Sequence, residues 1–153
     1  MIRVKPHHLV DILCDIGAGQ TNWQPHPYGH LVHVVGAAVL ADPEARLEMD
    51  FGADDICRPC LHNIHGRCDD TIDTSFRPKA STSKRENNLL LDARWSERLG
   101  LAEGTRLTVR EFCRLLRERA WDDISDIYLE EPTERSATRL EKMRKGVERL
   151  LGE

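Results

Sequence analysis

Ile2-Arg3-Val4-Lys5-Pro6-His7-His8-Leu9-Val10-Asp11-Ile12-Leu13-Cys14-Asp15-Ile16-Gly17 contains both kinds of element from which the fold is assembled. Ile2, Arg3 and Val4 alternate as a short strand does, and Pro6 ends it. Pro6 also suits the first turn of a helix, which the spacing carries to about Ile16 with Gly17 as its stop. Leu9, Ile12, Leu13 and Ile16 follow i, i+3, i+4, i+7 and form the apolar face. At about 100° per residue, His7, Asp11 and Cys14 share one sector on the opposite side.

Working outward, 18–27 is rich in Gly, Gln, Asn and Pro and reads as a loop. A buried helix is expected over 28–41, broken by Asp42-Pro43. Leu47, Met49 and Phe51 alternate over 46–51, a second strand placed to pair with the first. The stretch 52–70 carries most cysteines and little periodicity, and 71–88 is a polar surface loop. Helix is expected over 89–99, then a turn through Gly104. Thr108 and Glu111 form a capping-box pattern for a helix to about Ala120. Six acids and no base occupy 122–134, read as a solvated face. A last helix begins near Pro132-Thr133, with Leu140, Met143, Val147, Leu150 and Leu151 on its buried stripe. The expected fold is mainly α with a minimal β-sheet, an α+β single domain over 1–153 with a Cys-rich metal-binding loop.

The 153 residues are 40% hydrophobic and 31% charged, enough to build a core. Lys plus Arg total 22 against 26 Asp plus Glu. That balance argues against a nucleic-acid or anionic-membrane binder, whose affinity comes from concentrated positive charge. The 5% aromatic content argues against a base-stacking platform. Residues 16–41 lack Asp, Glu, Lys and Arg, but Gln, Asn, Pro and His interrupt them, leaving less than the ~20 apolar residues of a span. Five cysteines cannot all pair, and no signal-like apolar run opens the chain. A reducing cytoplasm is the expected compartment, where clustered cysteines more often bind metal than cross-link.

Cys57-Arg58-Pro59-Cys60 followed by Cys68 gives C-x2-C-x7-C. A two-residue spacer lets neighbouring thiolates converge on one centre, and Pro59 favours the turn between them. The bland alternative is three small buried hydrophobes, but the charged and polar residues around them make a poor core segment. Leu61 follows Cys60, so the C-x-x-C-H of c-type haem is absent. The local pattern leaves iron–sulfur cluster and zinc both open, with His62, His65 or a distant Cys14 available as fourth ligand. Cys14 lies off the apolar stripe beside His7 and Asp11, a thiol, an imidazole and a carboxylate able to ligate metal and place a proton. Cys113 shares a stripe with Val109, Phe112 and Leu116 and reads as core. His30 and His33, three apart in an apolar helix, suit one metal or substrate, although such histidines are more often satisfied by protein partners. The tryptophans read as packing, and Lys79, Lys84 and Arg85 as a solvated group.

Pro6-His7-His8-Leu9 together with Asp54-Asp55-Ile56-Cys57-Arg58-Pro59 resembles the bacterial and archaeal family called domain of unknown function 1284, over Ile2 to about Asp70. Its members are described as iron–sulfur-binding proteins without a settled reaction. Relatives often carry cysteine where this chain has Asp11, and their carboxyl-terminal C-x-x-C-x-W-like element is missing here. The resemblance favours a [4Fe–4S] cluster over zinc and implies that Cys14 joins Cys57, Cys60 and Cys68 as ligands.

If Cys14 completes the shell the site is closed; if it stands off, three cysteines leave one iron open, and the function expected is then a small iron–sulfur protein with that iron beside His7, His8, Asp11, His30 or His33 for proton transfer. It would act as a non-redox or sulfur-handling enzyme on a small molecule. The alternatives are a zinc-stabilised module that binds a partner, and a small electron-transfer protein with a redox partner.

Overall fold

Pro6 separates the first two elements as the sequence predicts: in the computed structural model, which describes all of Met1–Glu153, β1 is Ile2–Val4 and α1 is Pro6–Gly17. The chain continues through α2 (Val32–Ala41), β2 (Arg46–Met49), a hairpin of β3 (Asn63–Ile64) and β4 (Arg67–Cys68), then α3 (Lys84–Leu99), β5 (Arg106–Thr108), α4 (Val109–Arg119) and α5 (Thr133–Leu151). β1 pairs in parallel with β2, Ile2 opposite Leu47 and Val4 opposite Met49, with α1 and α2 forming the crossover. β5 adds antiparallel to the other edge of β2, giving the order β1-β2-β5. The fold is α+β, with five helices around this small sheet and one hydrophobic core.

Local rules explain several boundaries. Thr108 accepts from Glu111 N–H while the Glu111 carboxylate accepts from Thr108 N–H, the expected capping box of α4. Cys113 is fully buried with Val109, Phe112 and Leu116. α3 starts five residues before the expected position, because Ser83 caps it by accepting from Glu86 N–H. α2 starts four residues late, at Val32, so His30 lies in the loop before it and His33 in its first turn. β5, expected as part of a turn, gains its hydrogen bonds only from β2.

α1 is buried on more than its apolar quartet: His7, Val10 and Cys14 are also buried, because α3 and α5 both pack on it. Gly17 permits the approach of α5 rather than ending the helix with a left-handed residue; Ala18 is the cap. The acidic 122–134 segment is not simply a solvated face. Glu130 takes both outer nitrogens of Arg94 at 2.8 and 2.7 Å, and Glu131 pairs with Arg77 and Arg139. No helix is long and apolar enough to cross a membrane.

Candidate metal centre

Two short segments build the centre. The first is the β1–α1 junction, carrying Lys5, His7 and His8. The second is the loop after β2, whose start runs beside β1. Arg3 N–H donates to the Asp55 carboxylate at 2.8 Å, Asp55 N–H to Arg3 C=O at 3.0 Å, and Lys5 N–H to Asp54 Oδ2 at 2.8 Å. Those bonds satisfy backbone groups that an exposed strand edge would leave open. They also set Asp54, fully buried, at the centre of the junction.

Asp54 organises what surrounds it. Oδ1 accepts from Ile56 N–H and Cys57 N–H at 3.1 and 2.9 Å, and Oδ2 also accepts from His8 Nδ1 at 2.7 Å. Burial alone would raise this carboxyl, but His8, Lys5 and the N–H donors outweigh it and hold it well below the usual carboxylate range. With Nδ1 donating to Asp54, the other ring nitrogen of His8 faces Cys57 Sγ at 3.8 Å. Lys5 Nζ approaches the same sulfur at 3.6 Å. Burial, and then the Asp54 charge, push the Cys57 thiol up to about 12, so a metal entering here must displace its proton. Burial, and next His7, lower His8.

His7 is held in the same manner by a different carboxylate. Asp92 of α3, almost fully buried, accepts from His7 N–H at 3.0 Å and from Nδ1 at 2.8 Å, both on Oδ1. The two imidazoles lie with centroids 4.3 Å apart. An imidazole with one nitrogen bonded to a buried carboxylate has its tautomer and orientation set, the arrangement common to ligating and proton-transferring histidines.

Cys57, Cys60 and Cys68 line one cavity of about 290 Å3 together with His7, His8, Asp11, His30 and His62. The spacing of C-x2-C is a tight turn, with Cys60 N–H donating to Cys57 C=O at 2.9 Å. Cys68 returns on the β3–β4 hairpin, whose tip is made by two left-handed residues, His65 (φ 52°) and Gly66 (φ 82°). That tip is exposed, and His65, a ligand candidate in the sequence, is not among the residues lining the cavity. His30 reaches the cavity because the loop before α2 docks on the cysteine segment: Leu31 N–H donates to Ile56 C=O and Leu61 N–H to Tyr28 C=O. His30 stacks on His26 at 4.4 Å; burial and His26 lower it. His62 is anchored through Nδ1 to Asp69 at 2.7 Å.

Two expected members are elsewhere. Cys14 does not line this cavity. Its thiol donates to Arg139 C=O of α5 at 3.5 Å, and burial, with Asp11 next, pushes it up to about 12. The helical sector that groups it with His7 and Asp11 is real, but α5 covers the Cys14 end while α3 and the cysteine loop cover the His7 end. His33 does not line it either; its Nδ1 is buried without a protein partner. Asp11 lines the cavity at its rim, paired with Arg139 at 3.4 Å. Beyond that pair opens a larger cleft of about 790 Å3 between α1 and α5, which His8, Asp11 and Arg139 also line.

Lys5, Asp54 and Asp92 had no assigned role in the sequence. Asp54 stands three residues before Cys57, a spacing that suits a carboxylate accepting from the following N–H groups. Asp92 sits inside a helix with no local sign of its partner.

The only three groups whose ligand atoms lie within 4.8 Å of one another are His8, Asp54 and Cys57. Asp54, His8 and Cys57, linked in that order, are the parts of a base-activated nucleophile. The 3.8 Å separation and a half-buried thiol raised by desolvation fit that poorly, and Cys60 and Cys68 line the same cavity. No family model, no curated protein and no solved structure matches the chain.

Proposed function

We propose that this protein holds a [4Fe–4S] cluster on Cys57, Cys60 and Cys68 and works as a small enzyme on a molecule bound beside it. The observation carrying this reading is that these three cysteines line one cavity and Cys14 does not. Thiolates around a single tetrahedral ion sit about 3.8 Å apart for metal–sulfur bonds of about 2.3 Å. The sulfurs of Cys57, Cys60 and Cys68 do not all lie within 4.8 Å of one another, so a single tetrahedral ion would require the loop to draw in around it. The motif resemblance points the same way.

With three protein thiolates, a cluster of this kind supplies a Lewis-acidic iron open to substrate. The residues of this chain supply the rest. His7 and His8, oriented by Asp92 and Asp54, line the cavity as groups able to hold or move a proton at the ring nitrogen not bonded to carboxylate. Asp11 and Arg139 stand between the cavity and the larger cleft, where they can orient a polar substrate.

A second reading has its own support. The 3.8 Å from His8 Nε2 to Cys57 Sγ also suits two ligands of one ion, with Asp54 behind the histidine. That would be a zinc site stabilising the loop. Anaerobic reconstitution followed by iron, sulfide and zinc analysis separates them. Brown protein with iron and sulfide in equal amounts, its spectrum altered by small thiols or anions, is the expected result. Colourless protein with one zinc per chain would replace the first reading by the second.

A further inference from the structure

Lys5 is 8% exposed, yet its ammonium forms no salt bridge with a carboxylate; its hydrogen-bond partner is Cys57 Sγ at 3.6 Å. The surface lysines Lys84 and Lys145 do pair with carboxylates, at 3.6 and 3.1 Å. A largely buried ammonium is costly unless anions compensate it; the Asp54 carboxylate does so only through charge at longer range, and a neutral thiol compensates poorly. A candidate anion is close by and is not used. Asp92 and Lys5 line the same small cavity of about 80 Å3, but Asp92 Oδ2 remains without a protein partner. The ammonium is committed to sulfur instead. The backbone brings the two residues together, since Asp54 accepts from both Lys5 N–H and Cys57 N–H.

We propose that Lys5 is the built-in counter-cation of the metal–thiolate centre, donating to Cys57 sulfur once that sulfur is a ligand and offsetting the negative charge of three thiolates. This rests on the cluster reading. A fixed positive charge beside a ligating sulfur stabilises the more negative, one-electron reduced form and therefore raises the reduction potential. It also withdraws charge from the iron that Cys57 binds. Lys5 is a positioning residue here, because it touches the ligand and not the substrate.

The test compares wild type with Lys5→Met, which keeps the reach and removes the charge, and Lys5→Arg, which keeps the charge. Each full-length protein is reconstituted with iron and sulfide, its content measured, and its midpoint potential read by voltammetry, the electron coming from the electrode. Lys5→Met is expected to load as wild type does, with a more negative midpoint and faster loss of iron to a chelator. Lys5→Arg should lie near wild type. Should Lys5→Met not yield folded protein, Lys5→Gln carries the same comparison. A charge-free variant that loads fully at an unchanged potential overturns the role of Lys5 alone. Wild-type protein that takes up no iron and sulfide overturns the cluster reading, and this proposal falls with it.

Discussion

Gly17 and Gly146 face one another where α1 crosses α5, and neither position has room for a methyl group. A Cβ at Gly17 would stand 1.8 Å from Lys142 C=O, and one at Gly146 would stand 2.0 Å from Leu13 C=O. Both obstacles are backbone, so no side-chain rotation relieves them. Gly17→Ala or Gly146→Ala should force the helices apart and cost about 3 kcal/mol or more. Thermal and urea unfolding checks this, and a loss under about 0.5 kcal/mol would mean the crossing is looser than described.

The cysteines should divide by the cavity they line. Cys57→Ser, Cys60→Ser and Cys68→Ser should each lose most bound metal and lower the soluble yield, because loading is coupled to folding of the loop. Cys14→Ala and Cys113→Ala should keep the metal and cost only packing, about 1–2 kcal/mol. Metal analysis of the five variants decides it; loss of metal in Cys14→Ala would restore that thiol as a ligand.

His7 and Asp92 form a pair with almost no access to water, at 2.8 Å. His7→Ala leaves the Asp92 carboxylate buried with one backbone donor, which should cost about 3 kcal/mol. Asp92→Ala added to that variant should cost much less than it does alone, since the two residues act through one contact. A double-mutant cycle by urea denaturation measures the coupling, and additive losses would deny it.

Arg94 and Glu130 join α3 to the segment before α5 by two parallel bonds, and Arg94 also donates to Ile127 C=O at 3.0 Å. The Arg94 hydrogen bonds, working against partial burial, lower Glu130 from its ordinary value. A lowered folded value means the native state favours the carboxylate. The stabilisation is therefore complete above the ordinary glutamate range and lost as pH falls through the folded value. Glu130→Gln should cost about 1 kcal/mol at pH 7, and that gap to wild type should narrow as pH falls through and below the ordinary glutamate range. Stability measured across pH 3–7 tests the sign; a gap that widens in acid would contradict it.

What was legible around the cavity was the turn of C-x2-C with Pro59 between its cysteines, a local feature closed by Cys60 N–H donating to Cys57 C=O. The two histidines were legible as candidates, but not their partners. Asp54 is 46 positions from His8, and Asp92 is 85 positions from His7. No periodicity links such pairs.

What the amino-acid order alone determined was whatever a few neighbouring residues decide: the break at Pro6, the Thr108–Glu111 cap, the buried stripe holding Cys113, and the turn between Cys57 and Cys60. A helix pattern says which residues share a face, and for His7, Asp11 and Cys14 that was correct. It does not say what stands opposite each end of the face. The crossing of α1 and α5 through Gly17 and Gly146 puts Cys14 against Arg139, while the loop beside β1 brings Cys57 to His8 and Lys5. The physical reason is that a side chain's partner is set by the packing of elements distant in sequence, whereas its direction is set by the backbone that carries it.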